Sequence, residues 1–225
     1  MQERYLRNIP ALSEEECTLM QTKKIVIAGC GGLGGHLAEL MTRIGCGDIV
    51  LIDGDVFEPT NLNRQLLSDQ TCIGCSKSAI AAERLHRINS EMKISHHDVY
   101  LTEENVDTLL SGADAVLDGL DSIAARKIVK RACSRAGIPY IYGASAGWVS
   151  QAAISMPEDN LIELLYPEHT LISDKSALSF TPALCAAMQT ALCVKLLTGR
   201  PVTTGTVYYF DLLHQEYEAI PIVSG

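Results

Sequence analysis

Short apolar runs alternate with amphipathic stretches through the first two thirds of the chain. The runs at 23–29 and 48–53 are rich in β-branched residues and are bounded by Gly or Asp, a pattern that predicts buried strands. The same criteria predict further strands at 93–99, 113–120 and 138–144, and helices at 33–44, 76–89, 103–110 and 122–137. Because strands that alternate with helices form parallel sheets, we expect an α/β fold with helices on both faces of a mostly parallel central sheet.

The pattern changes after residue 143. The segments at 147–156, 161–166 and 206–222 are each predicted as strands, and they are expected to be antiparallel because no helix separates the first two. An apolar helix is predicted at 179–199, ended by Gly199. The polar stretch at 166–179 has no periodicity and is expected to be a mobile lid. We expect residues 1–225 to form a single domain.

Composition and charge narrow the classes of partner. The chain has 225 residues, 47% of them hydrophobic, and a net charge of −9, which argues against nucleic acid because phosphate binding needs clustered cations. The charged start is unlike a signal peptide, and no run approaches the roughly 20 apolar residues of a membrane span. We therefore expect a cytoplasmic protein with no nucleic-acid or membrane partner.

The eight cysteines are scattered through predicted helices and strands, so reduced thiols are expected. Only Cys72 and Cys75 have the spacing of a metal-binding pair. A structural zinc site normally needs four ligands, and no second closely spaced pair exists. The sequence therefore predicts no structural zinc.

A glycine-rich turn lies between the first predicted strand and the first predicted helix. Gly29, Gly31, Gly32 and Gly34 form the pattern GxGxxG, which lets the backbone approach phosphates that bind at a helix N-terminus. Asp53 ends the second predicted strand and is placed to accept hydrogen bonds from ribose hydroxyls. Together these residues predict a nucleotide site, but they do not separate ATP from NAD.

Charged residues after successive strands favour chemistry on phosphates. Arg64 and Lys77 supply cations for a triphosphate, with Ser76 as the predicted N-cap of the helix that carries Lys77. Asp121 follows the predicted strand at 113–120 and is a suitable ligand for Mg²⁺, which prefers carboxylate oxygens. Hydride transfer to a nicotinamide would leave these three residues without a role.

Several motifs together resemble the MoeB/ThiF/HesA branch of the ubiquitin-activating-enzyme superfamily, whose fold is Rossmann-like. They are RYLRN at 4–8, GCGGLGG at 29–35, DGD at 53–55, NLNRQ at 61–65, SK at 76–77 and GLDS at 119–122. The resemblance implies a homodimer that binds ATP and Mg²⁺, with Arg7 reaching the triphosphate of the partner subunit. The other residues that it places at the nucleotide are Asp53 and Asp55, Asn61, Arg64, Gln65, Lys77, and Asp121 at magnesium.

The resemblance further implies an adenylyltransferase. Its substrate would be the C-terminal glycine carboxylate of a small ubiquitin-like sulfur-carrier protein ending in Gly-Gly, as in thiamine or molybdopterin biosynthesis. Relatives that bind zinc carry two CxxC pairs, and some place a cysteine in the loop that crosses the active site; residues 157–184 contain no cysteine. We therefore expect an enzyme that stops at the acyl adenylate. The alternatives are a nucleotide-binding regulator without turnover and an NAD-dependent oxidoreductase.

Overall fold

A mixed sheet of eight strands organises the part of the protein that the structure describes. The computed structural model describes residues 2–170 and 176–222. The strands lie in the order β3-β2-β1-β4-β5-β6-β7-β8. The first five strands of this order, β3, β2, β1, β4 and β5, run parallel to one another. Strands β6, β7 and β8 are antiparallel to their neighbours. The strands are β1 Lys24–Ala28, β2 Asp48–Ile52, β3 Lys93–His97, β4 Ala115–Asp118, β5 Tyr140–Ala146, β6 Val149–Ser155, β7 Thr206–Asp211 and β8 Glu216–Pro221. The predicted fold class is confirmed.

Within residues 2–170 and 176–222, seven α-helices cover the sheet. Alternate residues of the central strands face opposite layers: Ile25 and Ile27 of β1 pack in one apolar cluster, and Val26 packs in the other. The helix Phe180–Leu197 is long and apolar enough to cross a membrane by length and composition alone. Half of it is buried here, where it packs against the helix Gly32–Ile44 and strands β5 and β6. The helices are α1 Glu14–Met20, α2 Gly32–Ile44, α3 Lys77–Ile88, α4 Val106–Leu110, α5 Ile123–Ala136, α6 Leu161–Leu165 and α7 Phe180–Leu197.

Local capping explains where several helices begin and end. The Ser76 hydroxyl accepts from the Ala79 amide at 3.2 Å, which confirms Ser76 as the N-cap of α3. Gly137 ends α5 in the left-handed conformation, with φ of 70°. Helix α1 was not predicted from apolar spacing, although Ser13 and Glu16 form a capping box that signals its start.

The prediction of a strand at 161–166 is wrong. Residues Leu161–Leu165 form the short helix α6, because Asp159 accepts the first free amide, that of Leu161, at 3.1 Å. The buried Leu161 and Ile162 then pack in the cluster beside α5. A short apolar run fits a buried strand or a buried helix equally well.

The prediction of one strand at 206–222 is also corrected. The segment is a hairpin, β7 and β8, joined by a turn in which the Asp211 carboxylate accepts from the amides of Leu213 and His214 at 2.9 and 3.2 Å. Gln215 completes the turn with φ of 59°. The predicted lid at 166–179 falls partly on residues 171–175, which lie outside the described residues.

Candidate nucleotide site

A cavity of about 850 Å³ lies at the carboxyl ends of the parallel strands. In this sheet β2 and β3 lie on one side of β1, and β4 and β5 lie on the other side. The strand order therefore reverses between β1 and β4, and open α/β sheets bind ligands in the crevice at such a switch point. The predicted site residues that line this cavity are Gly29, Gly31, Gly32, Asp53, Asp55, Arg64, Gln65, Lys77 and Asp121.

The glycines of the turn differ in whether the surrounding structure leaves room for a side chain. A Cβ atom on Gly34 would lie 1.8 Å from the carbonyl oxygen of Gly29, so α2 can begin against the turn only with glycine there. Gly31 and Gly32 have no such neighbour, because the nearest atoms to their Cβ positions are 3.7 and 3.5 Å away, in Gln65 and Arg64. Gly34 therefore serves packing, whereas Gly31 and Gly32 would tolerate a Cβ atom sterically and line the cavity that a ligand would enter.

This difference predicts opposite effects of two matched substitutions. We expect Gly34→Ala to lower the free energy of unfolding by about 1–3 kcal/mol or more, since a backbone atom must move. Gly31→Ala should stay within about 0.5 kcal/mol of the native stability but weaken ATP binding. Urea denaturation and calorimetric titration with ATP measure the two effects. Equal stability losses in both variants would contradict this assignment of roles.

Asp53 is held by the backbone around the turn. Its carboxylate accepts from the amide of Cys30 at 2.6 Å and from the amide of Asp55 at 2.8 Å. Burial raises the pKa of Asp53, and these two backbone hydrogen bonds oppose that rise. The contacts fix the carboxylate between the glycine-rich turn and the end of β2, where the sequence places a ribose.

The two cations at the cavity are held differently. The Lys77 side chain is 9% exposed, and its ammonium pairs with Asp55 at 2.9 Å. The guanidinium of Arg64 donates instead to the carbonyl of Thr60 and the side chain of Asn63, at 2.9 and 2.8 Å. Within residues 2–170 and 176–222, no carboxylate pairs with Arg64, so its charge is available to an anion.

Two further polar groups at the cavity, in Asp121 and Gln65, have no hydrogen-bond partner among the described residues. Asp121 follows β4, is exposed to the cavity, and has no hydrogen bond or ion pair among the described residues. The Oε1 atom of Gln65 is buried and likewise has no partner in the described part of the chain. An exposed carboxylate that shares the cavity with two cations and a helix N-terminus suits Mg²⁺, which prefers carboxylate and phosphate oxygens. Asp121 is the residue that would hold the ion.

Three of the predicted residues lie away from the cavity lining. Gly34 packs beneath the glycine-rich turn. Asn61 is 7% exposed, and its side-chain oxygen accepts from the Glu58 amide at 3.0 Å, which caps a separate turn. The phosphate contact implied for Asn61 stays a prediction. Arg7 is exposed near the far end of α2, where Asn8 donates to the carbonyl of Ile44 at 3.2 Å. The 13 residues of α2 place that end about 20 Å from the cavity.

A buried ion pair behind the cavity was not predicted from the sequence. Arg126 donates to the carboxylate of Asp118 at 2.9 Å and to the carbonyl of Leu120 at 2.6 Å, next to Asp121. Burial alone would lower the pKa of Arg126, but Asp118 and the neighbouring tyrosines raise it overall. The guanidinium also lies over the rings of Tyr142 and Tyr166. This network fixes the carboxyl end of β4.

All eight cysteines lie among the described residues, and none of them lines the cavity. All eight are unpaired, and the Cys185 thiol donates to the carbonyl of Gln151 at 3.1 Å inside the core. Burial raises the pKa of Cys185 to about 12, which disfavours the reactive thiolate. Among the described residues, no group of three or more His, Cys, Asp or Glu side chains could hold a metal ion.

Comparison with known proteins supports the family resemblance. Residues 4–224 match the ThiF family. The chain is 25% identical over 228 residues to the SAMP-activating enzyme E1 of Haloferax volcanii, covering 97% of this chain and 84% of that protein. It is 27% identical over 229 residues to the adenylyltransferase and sulfurtransferase MOCS3 of Xenopus laevis, covering 97% of this chain but 51% of that protein. The chain thus spans about half the length of MOCS3.

A solved structure agrees with the fold. The crystal structure of Escherichia coli MccB with ATP superposes with a TM-score of 0.80 at 23% identity, covering 99% of this chain and 72% of that one. The predicted enzyme class, an adenylyltransferase, is the class named for MOCS3.

Proposed function

Since the chain belongs to the ThiF family, we propose that it adenylates the C-terminal glycine carboxylate of a small ubiquitin-like sulfur-carrier protein, using ATP. The observation that carries the proposal is the convergence of a glycine-rich helix N-terminus, Arg64, Lys77 and Asp121 on one cavity. A nucleotide regulator without turnover would have no need of a free carboxylate beside two cations.

The proposed reaction needs positioning and charge neutralisation and no general base. A terminal carboxylate is ionised at neutral pH, and it attacks the α-phosphorus of ATP as pyrophosphate leaves. The amides at the start of α2 bind phosphate oxygens, and Arg64 and Lys77 stabilise the charge that develops on the leaving pyrophosphate. Mg²⁺ held by Asp121 would neutralise charge on the phosphate chain.

In this proposal the C-terminal tail of the carrier protein enters the cavity from the side of the antiparallel strands. The cavity extends past the phosphate-binding end to Tyr142 on β5, Gln151 on β6 and Tyr166, which follows α6. A flexible Gly-Gly tail would fit this extension. Because the sequence between 157 and 184 has no cysteine and Cys185 is buried, the proposal ends at the acyl adenylate, and a separate protein supplies sulfur. We place the enzyme in the cytoplasm as a homodimer.

Exchange of labelled pyrophosphate into ATP tests the proposed reaction. We expect exchange that requires Mg²⁺ and a carrier with a free C-terminal Gly-Gly, because the adenylation step is reversible when both products are present. A carrier that lacks the last glycine is the matched control and should support no exchange. Exchange that is equally fast with both carriers would contradict the proposed substrate.

A further inference from the structure

Tyr100 lines the cavity and hydrogen-bonds to Asp55 without belonging to any of the recognised motifs. It follows β3 and lines the cavity, with 65% of its surface exposed. Its hydroxyl donates to Oδ1 of Asp55 at 2.6 Å, while Lys77 donates to Oδ2 of the same carboxylate at 2.9 Å. One carboxylate thus joins a phenol and the buried lysine.

The position of Tyr100 is fixed from both sides. Asn105 donates to the Tyr100 carbonyl at 2.8 Å, which holds the backbone after β3. On the other side the ring lies against Gly54, where a Cβ atom would be 2.8 Å from the Tyr100 amide nitrogen and 2.9 Å from its ring. Glycine between Asp53 and Asp55 is therefore required for this contact.

Asp55 is also tied to the start of α3. Its carbonyl accepts from the Lys77 amide at 3.0 Å, and its own amide donates to Asp53. The carboxylate is nevertheless 46% exposed, so it is free to turn unless a second partner holds it. The pKa of Asp55 lies below its ordinary value, chiefly because of the Tyr100 hydroxyl and also because of Lys77.

We propose that Tyr100 is a positioning residue that holds Asp55 with one oxygen toward Lys77, and so keeps the lysine ammonium available to the β- and γ-phosphates of ATP. Two effects act in the same direction. The hydroxyl prevents the carboxylate from turning both oxygens onto Lys77, and it withdraws charge from an anion that competes with and repels phosphate. This inference rests on the role of Lys77 in the proposed function.

The comparison of ATP with AMP separates this role from a contact with the nucleoside. We expect Tyr100→Phe, which keeps the ring, to weaken ATP binding by about three- to tenfold, the worth of one hydrogen bond. AMP has no β- or γ-phosphate, so its affinity should change by less than about twofold. Tyr217→Phe, at an exposed tyrosine on β8 outside the cavity, is the matched control and should change neither affinity.

A double-mutant cycle identifies Asp55 as the intermediary. In the Asp55→Asn background, Tyr100→Phe should change ATP affinity by less than about twofold, because the charged acceptor is already gone. Gly54→Ala, which displaces Tyr100, should weaken ATP at least as much as Tyr100→Phe does. Native ATP affinity in Tyr100→Phe, equal weakening of ATP and AMP, or additive effects in the cycle would overturn the proposal.

These binding measurements need no carrier, so the two proposals can fail separately. Selective loss of ATP affinity in Tyr100→Phe, without carrier-dependent pyrophosphate exchange in the native protein, would sustain the role of Tyr100 and remove the proposed substrate. If the native protein bound ATP no more tightly than AMP, the β- and γ-phosphates would contribute nothing to binding, and the role proposed for Tyr100 would be overturned.

Discussion

Replacement of Asp121 by alanine is expected to abolish carrier-dependent pyrophosphate exchange, with a loss on the order of 10²–10³ in rate. The carboxylate is exposed beside the phosphate-binding end of the cavity and has no partner among the described residues, so its removal takes away no stabilising contact. Melting temperature should therefore stay native. The loss should persist at saturating Mg²⁺ if Asp121 is needed to place the ion in the transition state.

Asp107→Ala is the matched control for this variant. Asp107 is an exposed carboxylate on α4 that pairs with Arg135 at 2.7 Å, outside the cavity. An exposed pair of this kind contributes little to stability, so both exchange and folding should be close to native. Native exchange rates in Asp121→Ala would show that the metal assignment is wrong.

Mixing two inactive variants is expected to restore activity if Arg7 acts across a dimer. Arg7 lies about 20 Å from the cavity of its own chain, at the opposite end of α2, so a role in catalysis requires a second subunit. A mixed dimer of Arg7→Ala and Lys77→Ala subunits holds one site with both residues intact. At equal amounts and random reassortment, about a quarter of the native exchange activity should return.

The control uses two residues of the same site. Arg64 and Lys77 both line the cavity of one chain, so a mixture of Arg64→Ala and Lys77→Ala leaves every site with one defect and should recover nothing. Subunit exchange can be verified with differently tagged chains. No recovery in the first mixture after verified exchange would exclude Arg7 from the site.

Local signals in the sequence were sufficient for the nucleotide-binding half of the fold. The glycine-rich turn, the carboxylate at the end of β2 and the residues after β2 and β4 are each set by the end of a strand or the start of a helix, and parallel strands bring these ends to one edge. The family and the enzyme class were predicted from the same segments and are confirmed.

The errors and omissions have two physical causes, an ambiguous local pattern and contacts between distant parts of the chain. The segment that forms α6 is too short and too apolar for periodicity to distinguish a helix from a strand. Arg126 and Tyr100 look like ordinary surface residues in the sequence. Only the fold buries Arg126 beside Asp118 and places the Tyr100 hydroxyl on Asp55.

The central claim is that the terminal carboxylate of a carrier protein receives the adenylyl group of ATP. Its most direct test is to incubate the enzyme with Mg²⁺, ATP labelled at the α-phosphate and a carrier ending in Gly-Gly, with pyrophosphatase present, and to measure label on the carrier. The account predicts label on the carrier that hydroxylamine releases as AMP and that is absent with Asp121→Ala enzyme. Label bound to the enzyme itself, or no label on any carrier despite tight ATP binding, would contradict it.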